Sequence, residues 1–440
     1  MPSPSIRSIK IIFIVFSLLL VRFIALSQSI PETAATISRG AYLQDMTSSS
    51  IIIRWKTAEK SIGKVWLGRA PTDLKQMIEE KKGTTDHALS VTGLTPETTY
   101  YYAIGAAGGI LEGKDPSHFF VTAPPAGRST PTRIWVVGDS GTGDPRAKSV
   151  RDAYLSYAGS HRADLWLMLG DNAYPRGADE SYQSALFDIY PTLLPNTTLW
   201  PTIGNHDTSG GFFSSKKSAY FDIFTLPQSG EAGGVASGTE AYYSFDYGNI
   251  HFVSLDSNQN DRSVRGPMLT WLKKDLAANR SEWLIAYWHH PPYSKGSHNS
   301  DVEDQLIDMR KNALPILEER GVDLVLSGHS HSYERSFLIN GHYGPSSTFT
   351  KEMILNSGDG RADGTGPYVK PGKREGHQGT VYVVAGSAGH TGRGDLNYPA
   401  MFTSLGVLGS LVLDIDHHRL NGTFIDNSGK IEDHFTIEKK

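Results

Sequence analysis

The rhythm of apolar and polar positions changes near residue 130. Between residues 36 and about 124 the apolar runs are short, as in SSIIIRW (49–55) and GKVWLG (63–68). They are rich in β-branched and aromatic residues and are parted by turn-forming ones, which predicts strands and an all-β region. APPAGRSTPT (123–132) follows, and its composition reads as a linker over 125–132. From residue 133 short apolar runs alternate with longer amphipathic segments, among them MLTWLKKDLAANR (268–280) and LIDMRKNALPILEERG (306–321). That alternation predicts an α/β region, 133–440, with sheet layered between helices. Residues 340–379 are rich in Gly, Ser and Lys and are expected to form a long loop or flap. No internal repeat is visible.

Within the first region, LTPETTYYYAI puts Tyr100 and Tyr102 on one face of a strand, six and eight residues after Leu94. A leucine, a proline and a tyrosine at that spacing resemble the tyrosine corner of immunoglobulin-like sandwiches. Trp55 in an early strand fits the fibronectin type III variety, which needs no disulfide. At 440 residues the chain exceeds one ordinary core, which supports two domains.

Composition mainly excludes. There is no cysteine, which removes disulfides, thiolate metal sites and cysteine nucleophiles. The net charge of -4 gives no reason to expect a nucleic-acid partner. Arg7 and Lys10 precede an apolar run from Ile11 to Val21, and Ala25 and Ser27 flank a cut before Gln28. Residues 1–27 therefore read as an export signal, with the mature chain secreted or periplasmic. Phe23 to Leu26 extend the run beyond Arg22, so a retained anchor is the alternative, though the run is short for a span. No other stretch is apolar enough to cross a bilayer, so no membrane is expected in the mature form.

Five apolar runs of the second region end in residues that can bind metal. RIWVVGDSG ends in Asp139, and LWLMLGDNAY in Asp171 and Tyr174. LWPTIGNHD ends in Asn205, His206 and Asp207, EWLIAYWHHPP in His289 and His290, and VDLVLSGHSHSYER in His329 and His331. One strand ending in Gly-Asp means little. Five that deliver oxygen or imidazole at their carboxyl ends point to a site, because ligands of α/β sheets bind where those ends converge.

Carboxylate and phenolate are hard oxygen donors, and imidazole is intermediate. Magnesium sites seldom take several histidines, and zinc fingers need thiolates. The mixture suits iron, manganese or zinc and is too large for one ion. A dinuclear centre needs a bridging carboxylate, for which central Asp171 is the natural candidate. Two such ions bind a hydroxide nucleophile, orient a phosphoryl group and stabilise its leaving oxygen.

The order GD-x-G, GD-x-x-Y, GNHD, x-x-x-H, GH-x-H resembles that of the calcineurin-like metallophosphoesterases. Tyr174 and GHSHSYER narrow the resemblance to the purple acid phosphatases, over roughly residues 36–430. It implies a fibronectin-like sandwich followed by a four-layer domain, a β-sandwich flanked by helices. It also implies that Asp139, Tyr174 and His331 bind a ferric ion. Asn205, His289 and His329 would bind a divalent ion (zinc, manganese or iron), and Asp171 would bridge the two. Phenolate ligation gives the family its colour. His206 falls beside the substrate phosphate, as hydrogen-bond or proton donor. His298 falls close to a further substrate histidine of plant-type members, with a plain surface histidine as the alternative. Asp207, Tyr333 and Glu334 are expected to orient ligands. Two departures stand out: Ala286 replaces a usual valine, and the pair in HHPP leaves a choice, for which the first histidine, His289, is preferred.

The implied function is hydrolysis of small phosphate monoesters at acidic to neutral pH, because Fe(III) strongly acidifies bound water. Alternatives are a phosphodiesterase or nucleotide hydrolase on the same centre, and a non-catalytic binding protein, whose mark would be missing ligands. None of the seven expected ligands is missing. GDSGTGDP lacks the Gly-Lys-Ser/Thr of a phosphate loop. VYVVAGSAGH resembles a nucleophile elbow around Ser387, but Ala385 replaces its first glycine. His251, in the apolar NIHFVSLDS, reads as structural.

Overall fold

A computed structural model describes residues 1, 2, 35–208 and 218–440; the expected export signal otherwise lies outside the described residues. The α/β region is organised by strands buried on both faces. In Trp283–Trp288, Trp283, Ile285 and Tyr287 join one apolar cluster while Leu284, Ala286 and Trp288 join another. Its neighbours repeat the alternation: Leu324, Leu326, Val381 and Val383 lie in the first cluster, Val325 and Tyr382 in the second. Such strands read as continuous apolar runs because neither face meets water.

The second cluster is closed by helices. Pro267–Ala278 contributes Met268, Leu272 and Leu276, and the helical stretch from Asp304 to Glu319 contributes Met309, Ala313 and Leu317. That stretch widens to a π turn at Met309–Ala313, just before Pro315, which has no N–H to give to the preceding turn. The first cluster is closed by a second sheet, whose strands Thr132–Val137, Leu165–Met168 and Thr198–Pro201 are parallel. Helix Pro145–Ala158 packs on that sheet, with Tyr154 stacked on Trp135 at 4.3 Å. The result is two large sheets face to face with helices against them, with seven strands in one sheet and ten in the other among the described residues.

The N-terminal β region is fused to this core. Strands Ile37–Gln44, Ser50–Ser61 and Thr84–Thr92 extend the ten-stranded sheet, with Leu43 paired to Thr198. A five-stranded sheet around Thr99–Ala106 completes the sandwich. Trp55 is buried there and stacks on His87 at 4.6 Å. The Tyr100 hydroxyl accepts from the Thr95 amide at 3.0 Å, the back-reach of a tyrosine corner. Tyr102 instead donates to the Pro195 carbonyl at 2.9 Å, tying the β region to the α/β region.

One expectation is corrected. Residues 340–379 are not a free flap. Ile354–Asn356 pairs with Leu338–Ile339, and Tyr368–Lys370 forms an edge strand of the ten-stranded sheet. Lys370 is buried 2.7 Å from Asp323, which also holds Lys439 at 2.7 Å. This shared buried carboxylate pins the segment, and composition alone carries no sign of such distant partners. Among the described residues, no helix is long and apolar enough to cross a membrane.

Candidate metal centre

The parallel strands of each sheet end level. Val137, Met168 and Pro201 are in register on one sheet, and Trp288, Ser327 and Val384 on the other. The residues that follow therefore meet at one edge of the sandwich. Asp139, Asp171 and His329 have φ of 57°, 53° and 64°, a region that non-glycine residues seldom occupy. Such strain clusters at functional loops. It is held here by the motifs themselves: the His329 amide donates to Asp139 at 2.7 Å and the His206 amide to Asp171 at 2.8 Å. The motif glycines allow close approach, since a side chain at Gly204 would strike the Asp171 carboxylate and one at Gly328 that of Asp139.

All seven expected metal residues are brought together. The Tyr174 hydroxyl lies 3.2 Å from Asp139 and 3.1 Å from Asp171. His331 Nε2 lies 3.5 Å from Asp139. His289 donates through Nδ1 to the Leu169 carbonyl at 2.8 Å, which turns Nε2 to Asn205 at 3.0 Å and Asp171 at 3.4 Å. The His329 ring is 5.0 Å from that of His289. Donor atoms of Asp139, Asp171 and His289 all lie within 4.8 Å of one another.

The electrostatics of the cluster favour a cation. Burial, together with the charges of Asp139 and Asp171, pushes the Tyr174 phenol far above its usual range. Burial alone would raise Asp171, but the charge and hydrogen bond of His289 outweigh it and hold the carboxyl well below normal. Burial would lower His289, but Asp171 drives it up to about 9. Two buried carboxylates aimed at a phenol call for a cation, and an ion there would reverse the penalty on the phenolate. Carboxylate, phenol, amide and imidazole donors gathered in this way fit a pair of metal ions.

The flanking residues sort as follows. His290, the rejected alternative, is buried with Nδ1 2.9 Å from the Ser257 hydroxyl. His206 is partly exposed, packs on Tyr174 at 4.5 Å and donates through Nδ1 to the Pro175 carbonyl at 2.8 Å. His298 reaches the cluster, its ring 3.7 Å from that of His329. Asp207 accepts from Gly204 at 2.8 Å, the Asn172 amide at 2.9 Å and Tyr182 at 2.6 Å, binding two ligand loops together. Glu334 accepts from Ser294 and Ser332 under the same loops. Tyr333, expected to orient ligands, instead turns into the core and donates to Asp433 at 2.8 Å. Ala286 lies wholly within the helix-facing cluster, where its size affects packing alone. Ser387 is fully buried, which ends the nucleophile-elbow reading.

Two residues were not anticipated. Glu303 lies 2.9 Å from His298 and 3.3 Å from His329. Burial opposes its charge, but hydrogen bonds from both histidines hold the carboxyl well below the usual range. Its only sequence signal is an acid five residues after His298. The His390 ring lies 3.7 Å from that of His331, tilted at 59° to it. A sixth apolar run, Val381–Ala385, leads to it as the other five lead to theirs.

Two family models match the chain, the calcineurin-like phosphoesterases over 132–333 and the purple acid phosphatase N-terminal domain over 40–122. Both regions of the chain are thus similar to those of the purple acid phosphatases. Purple acid phosphatase 15 of Arabidopsis thaliana is 31% identical over 353 residues, covering 65% of this chain and 62% of that protein. Purple acid phosphatase 23 of the same plant is 28% identical, covering 66% of this chain and 72% of its own length. The structure of the yellow lupin (Lupinus luteus) purple acid phosphatase PPD1 superposes with a TM-score of 0.70 at 18% identity, covering 91% of this chain and 74% of that one. At that identity it speaks for the fold, an N-terminal β domain followed by the metallophosphoesterase sandwich.

Proposed function

We propose that this purple acid phosphatase relative hydrolyses small phosphate monoesters outside the cytoplasm. Asp139, Tyr174 and His331 would hold a ferric ion and Asn205, His289 and His329 a divalent one, with Asp171 shared. The observation that carries the reading is the Tyr174 hydroxyl held between two buried carboxylates, 3.2 Å and 3.1 Å away. When bound, the ions supply Lewis-acid charge and a nucleophile of lowered pKa. The protein orients the rest. His206 spends Nδ1 on the Pro175 carbonyl, so Nε2 is left for substrate. Protonated there, it donates to a phosphoryl or leaving oxygen. Glu303 orients His298 beside the divalent-ion residues. Export is supported by the charged start, apolar run and small residues ahead of Gln28.

The test is elemental analysis of natively purified protein with assays on p-nitrophenyl phosphate and bis(p-nitrophenyl) phosphate. Two ions per chain, at least one of them iron, and preference for the monoester are expected. Two ions without iron would end the ferric assignment, and a preference for the diester would make the chain a phosphodiesterase. N-terminal sequencing of exported protein should begin near Gln28.

A further inference from the structure

Strand Val381–Ala385 lies beside Leu324–Ser327 in the parallel set, and its carboxyl end opens on the same edge of the sandwich. The loop that follows is fastened to the first motif, with the Ala388 amide donating to the Gly138 carbonyl at 3.1 Å. Side chains at Gly386 or Gly389 would collide with the backbone of Ser330 or of Asp139, so the two glycines let this loop lie against the strand ends. The loop delivers His390. Its ring is 3.7 Å from that of His331 and 5.2 Å from that of Tyr174.

The ring is partly exposed, and its Nδ1 is buried with no hydrogen-bond partner among the described residues. A buried N–H without an acceptor is rare and costly, so the neutral ring carries its proton on Nε2. Three partly exposed imidazoles thus surround the proposed metal residues, each against a different one. His206 packs on Tyr174 at 4.5 Å, His298 on His329 at 3.7 Å and His390 on His331 at 3.7 Å. The first two are fixed through Nδ1 by Pro175 and Glu303. His390 is held by packing and by its loop, and among the described residues its ring makes no hydrogen bond that would account for it structurally.

We propose that His390 contacts substrate directly, donating a hydrogen bond to a non-bridging oxygen of the phosphoryl group. The proposal rests on the phosphatase reading above. The test uses the full, metal-loaded protein as wild type, His390→Ala and His390→Gln. Metal content, calorimetric affinity for inorganic phosphate, and KM and kcat for phenyl phosphate are measured on each. His390→Ala should keep both ions, bind phosphate about tenfold more weakly and raise KM by a similar factor, the scale of one lost hydrogen bond. His390→Gln retains an N–H donor and should recover most of that loss. Wild-type phosphate affinity and KM in His390→Ala would overturn the proposal. So would loss of metal, which would make His390 a support for His331 alone. A wild type that neither binds phosphate nor cleaves the monoester would remove the phosphatase reading as well.

Discussion

The phenolic oxygen of Tyr174 lies 3.1 Å from Oδ2 of Asp171, a carboxylate only three residues earlier in the chain. Tyr174→Phe keeps the ring and its packing on His206, so the fold should persist. The variant should lose the broad visible band that phenolate ligation of Fe(III) would give. Absorption spectra of wild type and variant, purified alike, check this, and a band that survives would assign the colour to another group.

His206 should separate from the metal residues. His206→Ala is expected to keep both ions and to slow turnover by about a hundredfold, the scale of a lost general acid or charge stabiliser. The loss should be smaller for p-nitrophenyl phosphate, whose leaving group barely needs a proton, than for an alkyl phosphate. Equal losses on both would restrict His206 to holding phosphate. His329→Ala, by contrast, should lower metal content and activity together.

Asp207 touches no substrate in this reading, yet its removal should be felt. Asp207→Ala strips the acceptor from buried donors on Gly204, Asn172 and Tyr182. At about 1–3 kcal/mol for each donor left unpaired, the expected loss is at least ~2 kcal/mol of folding stability. Urea unfolding measures it, and metal analysis should show weakened retention, since the Asp171 and Asn205 loops lose their common tie.

A pH dependence should arise far from the centre. His251 is fully buried between Asp246 at 2.6 Å and Asp275 at 2.8 Å. Burial disfavours its charge, but the two carboxylate hydrogen bonds outweigh burial and raise its pKa in the folded state. A raised folded pKa means stability present in full below the unfolded value of about 6.5 and lost as pH climbs through the folded value. The stability gap between wild type and His251→Gln should therefore be wide at pH 6 and narrow at pH 9. Denaturant titrations at both values decide it, and a gap that widens with pH would show that His251 is neutral.

What the sequence determined by itself is local. A run such as LWLML followed by Gly-Asp encodes a buried strand, the break that ends it and the donor placed there, all within ten residues. Five such runs were enough to name the residues that meet at one edge of the sandwich, and the tyrosine corner was legible for the same reason. What only the tertiary structure decided depends on which faces meet. Residues 283–288 are apolar on both sides, so the sequence could not say that Trp283, Ile285 and Tyr287 face the other sheet while Trp288 faces the helices. That alternation is what sends His289 inward to Asp171 and leaves His290 against Ser257. The same holds for His298, Glu303 and His390, and for Lys370 on Asp323. Their partners lie far along the chain or on another strand end, and they became neighbours only when two sheets buried their apolar faces against each other and brought those ends to one edge.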